Sequence, residues 1–319
     1  MTIDRVATAN QSAYFLAQIE NAGTALETTQ QQIASGDNAT TYAGFGTQAQ
    51  SLTATLSANA RNDAYTTATS LASTQVSLQD TQLTSLSSLA LQLQTAISNA
   101  VANNDPSTLM TQAQSIFSQA QSILNSKDAN GNYIFGGGNV TNPPVTVSSL
   151  SDLAALTPPA TPFANGTFKT SVQVADGQSV TYGVTASDVG SGLMQELQSL
   201  AQFDQGPSGN LDNSTSLSSA QSSYLTGAIA TANSTADTLN TATAANGYVA
   251  NQLSDAQTQQ TSMTTLYKGF ISNVQDTNMA QAATQLSLNQ TQLQAALQVT
   301  AGLNQLSLLN YLPAPTTTG

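Results

Sequence analysis

The stretch ISNVQDTNMAQAATQLSLNQTQLQAALQVTAGLNQLSLLNYL, residues 271–312, decides the fold. Met279, Leu286 and Leu293 recur every seven residues, and Leu297, Leu303, Leu306 and Leu309 carry the apolar seam onward. A heptad stripe is hidden from water only against another helix. Toward the other end of the chain, Ile19, Leu26 and Ile33 repeat at the same interval. The two segments are expected to pair, and both seams are assigned to packing between subunits. The competing reading is an ordinary intramolecular core stripe; the intersubunit one is preferred because such a helix has little of its own chain to bury against.

Working inward, the pattern predicts a first helix over 8–34, stopped by the turn signal Ser35-Gly36-Asp37-Asn38. A long helix over about 48–103 carries Val76, Leu83, Ala90 and Ile97 at one heptad position and Leu86, Leu93 and Ala100 at the other. Asp105-Pro106 reads as N-cap and first position of a third helix, with Leu109, Ile116 and Ile123 on its seam. Asn130-Gly131 marks a tight turn. Two alternating runs, Phe168–Val174 and Val180–Val184, joined by Asp176-Gly177, predict a β-hairpin. A short helix follows near Leu193–Leu200, and then the longest seam, from Leu225 to Leu253, with the polar Asn246 inside it. A polar seam residue fixes register at some cost in stability. The last helix is expected from about Gly269.

The expected fold class is therefore mainly α: a long, antiparallel, coiled-coil-like bundle formed by the N- and C-terminal regions, with a small β-rich insertion. The domains expected are an assembly domain of 1–46 with 263–319, a central bundle of 47–135 with 193–262, and an outer insertion of 136–192.

Composition narrows function. Charged residues make up 7% of the 319, and there is no His, Cys or Trp. Average soluble chains are about 25% charged, so helix packing rather than ion pairing must supply specificity. The net charge of −12, with only Arg5, Arg61, Lys127, Lys169 and Lys268 basic, argues against nucleic acid, which is bound by clustered cations. Without His or Cys the usual general base, thiolate nucleophile and transition-metal ligands are missing. No enzyme, cofactor or metal is expected. No apolar run approaches the roughly 18 residues of a membrane span, so membrane insertion is not expected either. The first residues lack the basic and apolar regions of a signal peptide.

Two motifs invite a sharper reading and are set aside. Gly136-Gly137-Gly138 lacks the Lys-Ser or Lys-Thr of a phosphate loop and reads as a bend. Asp128, Asn130 and Asn132 alternate oxygens as in a calcium loop, but the glycine is misplaced and the distal Glu missing, so a turn is preferred.

Four segments carry a resemblance: Gln32-Ile33-Ala34-Ser35-Gly36, Asn132-Tyr133-Ile134-Phe135-Gly136-Gly137-Gly138, Val274-Gln275-Asp276-Thr277-Asn278-Met279-Ala280, and the ending from Leu303 to Leu312. Together, in this order, they resemble the flagellin superfamily, and within it most closely the hook–filament junction proteins, hook-associated proteins of type 3. Flagellins usually carry an Arg after the Ser-Gly turn and basic residues near Gly247. This chain has Asp37-Asn38-Ala39 and Ala244, Ala245 and Gln252 there, departures that favour the junction group. The resemblance implies an extracellular flagellar location, reached by type III export without a cleaved signal peptide. It implies terminal helices packed in an inner tube, with a hook-side junction protein, flagellin, copies of itself and an export chaperone as partners. Two other readings stay open: a short flagellin that forms the filament itself, and a secreted coiled-coil module that binds a surface through the β insertion.

Overall fold

Gly36 takes a φ of +81°, a left-handed conformation that costs a residue with a Cβ about 1–2 kcal/mol, and the first helix ends there. Punctuation of this kind divides a chain otherwise built from helices. The computed structural model describes the backbone of residues 2–309 and the side chains of residues 10–302 apart from Ser12. The elements are α1 (Thr2–Ser35), α2 (Ala49–Asn103), α3 (Leu109–Leu124), α4 (Leu150–Ala155), β1 (Thr170–Ala175), β2 (Gln178–Tyr182), α5 (Ala186–Gln205), α6 (Ser219–Gln275) and α7 (Met279–Leu309). Short 3-10 turns occupy Tyr42–Gln48 and Leu211–Asn213. The fold is mainly α with one two-stranded antiparallel sheet. The chain forms two compact units, residues 61–263 and residues 1–60 with 264–319.

In the unit of residues 61–263, α2 and α6 run antiparallel. Asn62 Nδ2 donates to the Gln260 carbonyl at 2.8 Å, Asn246 Nδ2 to the Val76 carbonyl at 3.0 Å, and Ser87 Oγ to Asn240 Oδ1 at 2.8 Å. Partners climb along α2 as they descend along α6. Asn246, the polar residue in the seam, is 5% exposed and is held by α2. The core joins Leu83, Leu86, Leu93 and Ile97 of α2 with Phe117 of α3, Leu193 and Leu197 of α5, and Leu225 and Leu239 of α6. Each fully buried side chain of this kind contributes roughly 1.5–3 kcal/mol.

The hairpin pairs Val172 with Val180, and Gly177 turns it with a φ of +74°. Its inward face of Val172, Val174 and Val180 packs with Ala72, Val76 and Leu253. Gln260 Nε2 reaches the Val174 carbonyl at 2.8 Å, and Tyr65 donates its hydroxyl to Asp176 at 2.6 Å. At the glycine run, Gly137 lies so close to Gly166 that a Cβ would stand 2.1 Å from the Gly166 carbonyl oxygen. Phe168 and Gly166 N–H groups donate to the carbonyls of Gly137 and Gly136. This is a backbone crossing. Asp128 Oδ1 accepts from the N–H groups of Asn130 and Asn132, which makes that motif a turn.

Glu196 of α5 is 4% exposed within this unit. Burial pushes its carboxyl up to about 7, and burial, with Glu196 as a smaller cause, pushes Tyr224 up to about 12.

Local starts and stops differ from expectation in several places. Gly269 opens no helix; α6 passes through it to Gln275, and the break falls at 276–278, where Asn278 Oδ1 accepts from Gln281 N at 3.2 Å. Asp105 accepts from Ser107 N in a turn, and α3 starts at Leu109. Phe168 and Val184 lie outside the strands. The short helix near Leu193 is the middle of α5, whose start is fixed by reciprocal bonds between Thr185 and Asp188. The stretch up to Gly46 reads from sequence as an extended connection but forms a 3-10 turn at Tyr42–Gln48, and the Pro-, Thr- and Ser-rich residues 139–165, which suit a loop or irregular β structure, include helix α4.

Throughout the helices, threonine hydroxyls fold back onto the carbonyl four residues earlier, as at Thr28, Thr84, Thr238 and Thr291.

Candidate assembly interface

Apolar residues at alternating spacings of four and three define a stripe on each helix of the unit formed by residues 1–60 and 264–319. On α1, Phe15, Ile19, Ala22, Leu26, Thr29 and Ile33 are buried or half-buried in this order. On α7 the covered positions are Ala282, Leu286, Asn289, Leu293, Ala296 and Thr300. The two helices pack against one another. Their direction is antiparallel: Asp37 bridges Asp276, and further along Asn289 bonds to Ala25 and Thr29.

Polar groups lie inside this seam. Asn289 is 2% exposed and donates to the Ala25 carbonyl at 3.1 Å and to Thr29 Oγ1 at 3.0 Å. Only one alignment of the helices brings these groups together, so the amide sets the register. A second clasp closes the end of the pair. Asn38 donates through N–H to the Gln275 carbonyl at 2.6 Å and through Nδ2 to the Val274 carbonyl at 2.9 Å. Thr277 N–H returns a bond to the Gly36 carbonyl at 2.7 Å.

What this unit does not bury is as informative. Its buried apolar side chains, among the described residues, are Leu52, Val274 and Ala282. Both apolar core clusters belong to residues 72–253. By contrast Tyr14, Leu16, Tyr42, Leu266, Phe270, Met279, Leu288, Leu297 and Val299 are all exposed. On α7, Leu288, Ala295 and Val299 follow one another by seven and four residues, roughly a third of a turn round the helix from the covered stripe. A helix with two apolar stripes needs cover on both.

Of the residues expected at subunit contacts, Ile19, Leu26, Ile33, Leu286 and Leu293 are half-buried in the α1–α7 pair, whereas Met279 and Leu297 are half-exposed, at 50% and 49%. The side chains of Leu303, Leu306 and Leu309 lie outside the described residues. Sequence reading missed Asn289, Thr29, Ala282 and Ala296, because counting large apolar residues registers one heptad position and skips a second that is small or polar. It also missed Leu288 and Val299, whose seven-plus-four spacing was the available signal. Among the described residues no group of three or more acidic side chains is placed to hold a metal, and no helix is long and apolar enough to cross a membrane.

The profile of the bacterial flagellin C-terminal helical region matches residues 227–312, which contain most of α6, the Asn38 clasp's acceptors and all of α7. Over residues 227–312 the chain is thus similar to flagellin C-terminal helical regions. The likeness to the flagellin superfamily drawn from the motifs is borne out there. About seven tenths of the chain also superposes on solved structures. A protein from Vibrio parahaemolyticus described as a flagellar hook-associated protein superposes with a TM-score of 0.56 at 17% identity, covering 72% of this chain and 97% of that one. FlgL from Bacillus cereus superposes with a TM-score of 0.52 at 14% identity, covering 69% of this chain and 98% of its own. No curated protein sequence matches the chain significantly.

Proposed function

We propose that this chain is a structural subunit of the bacterial flagellum, joining hook to filament by helix packing and performing no chemistry. The observation that carries the proposal is the unit of residues 1–60 and 264–319, which pairs two helices yet, among its described residues, keeps almost no apolar core and leaves a second stripe on α7 uncovered. Neighbouring subunits, copies of this chain together with a hook-side junction protein and flagellin, would cover Leu288, Leu297 and Val299. The fold shared with hook-associated proteins supports the junction role over the filament role. The chain would travel through the flagellar type III apparatus, without cleavage of a signal peptide and escorted by a chaperone, and end outside the cell.

A short flagellin is the second reading, favoured by the profile match over residues 227–312. Seeding separates the two. Purified protein mixed with filament fragments should stay soluble yet bind isolated hook ends; growth into long helical fibres would establish the second reading. In a deletion strain, electron microscopy should show intact hooks without filaments. A normal filament in that strain would overturn both.

A further inference from the structure

Three segments that are distant in sequence enclose a groove of about 640 Å³ in the unit of residues 61–263: α2 around Leu71–Gln79, the turn and glycine run of 127–140, and the hairpin edge at Phe168–Thr170 and Tyr182–Val184. Its rim leaves Leu71 70%, Phe168 67% and Val140 39% exposed, an apolar trio that water covers poorly. Two of the chain's five basic residues, Lys127 and Lys169, line it. Lys169 is paired with Asp188 at 3.3 Å, but Lys127 has its Nζ over the Tyr133 ring at 4.6 Å and no carboxylate partner among the described residues. The one acidic side chain lining the groove, Asp128, has Oδ1 occupied by two N–H groups of its own turn. Gln79, 1% exposed, also lines the groove; its Nε2 donates to the Ile134 carbonyl at 3.3 Å while Oε1 has no partner.

We propose that this groove binds a peptide segment of a partner protein, one carrying a large apolar side chain within a few residues of a carboxylate. The apolar side chain would seat against Leu71, Val140 and Phe168, and the carboxylate would meet Lys127. Charge complementarity selects this occupant: a lysine with no carboxylate partner among the described residues is conspicuous in a chain of net charge −12. A saccharide fits less well, because its hydroxyl groups gain nothing from the exposed apolar rim of Leu71, Val140 and Phe168.

The test uses the full chain on an array of acetylated hexapeptides, each with one Leu or Phe and two Glu at every spacing, paired with Gln counterparts, beside an array of neutral and acidic oligosaccharides. At least one Glu peptide should bind tenfold or more tightly than its Gln partner. That preference should vanish in Lys127→Gln, and binding itself should fall at least tenfold in Phe168→Ala, both with unchanged thermal unfolding. Phe168 is exposed, so its loss does not threaten the core. The proposal is overturned by silence across the peptide array, by equal binding of Glu and Gln members, by indifference to both substitutions, or by binding confined to oligosaccharides.

Discussion

Asn289 occupies a seam position where a coiled coil ordinarily places an aliphatic side chain, and its amide joins two helices 264 residues apart in sequence. Replacing it by alanine removes both bonds across the seam, while the Ala25 carbonyl still accepts from Thr29 Oγ1 at 2.8 Å, so pairing of α1 with α7 should weaken by about 1 kcal/mol. Amide hydrogen exchange in α1 of the N289A protein should accelerate accordingly, with exchange in α3 and α5 unchanged. Glu196 makes a pH-dependent prediction. In the folded chain its carboxyl keeps a proton up to about pH 7, whereas an unfolded one releases it near the ordinary 4.5. Between those values the folded state binds more protons, so stability falls as pH rises through that window. The cost reaches roughly 3 kcal/mol at most by pH 8. Denaturant titrations of E196Q should coincide with the parent below about pH 4, gain on it up to about pH 8, and hold a constant gain above.

At the scale of elements, α7 separates folding from assembly. Leu297 is half-exposed, so L297D should change monomer stability by no more than about 0.5 kcal/mol. Combined with L293D, which adds a charge to the covered stripe, it should leave the core of residues 72–253 folded yet block incorporation at hook ends, scored by electron microscopy of complemented cells. Normal incorporation would remove α7 from the interface. Much of this was legible beforehand. Heptads located α2, α6 and α7 because a helix that buries one stripe must repeat it, and Asp176-Gly177 located the hairpin because its turn demands a left-handed residue. Helix limits were less legible. Gly269 resembles a stop, yet α6 carries it for the modest loss of a glycine in a helix. Thr185 and Asp188 form a capping box that hydrophobic spacing never registers. Within the interface, large side chains revealed three of the six stripe positions on α1 and two of the six on α7; apart from Phe15 the rest are alanine, threonine and asparagine, which periodicity overlooks.

For the molecule as a whole, the uneven burial predicts uneven protection. Hydrogen exchange on dilute protein should find slow amides in α2 near Leu83–Ile97, in α3 and in α5, where side chains are fully covered. Amides of α1 and α7 should exchange at least a hundredfold faster, and slow when hook fragments are added. Equal protection throughout the free chain would show that α1 and α7 need no neighbours. The folded-back threonines give these helices a further property. A hydroxyl engaged with its own backbone turns a methyl group toward solvent, so an exterior that composition describes as water-loving wears a thin hydrocarbon skin. Few charges anchor a hydration layer over it. Two such exteriors can meet, slide and settle with little bound solvent to strip away, at any salinity the surroundings impose.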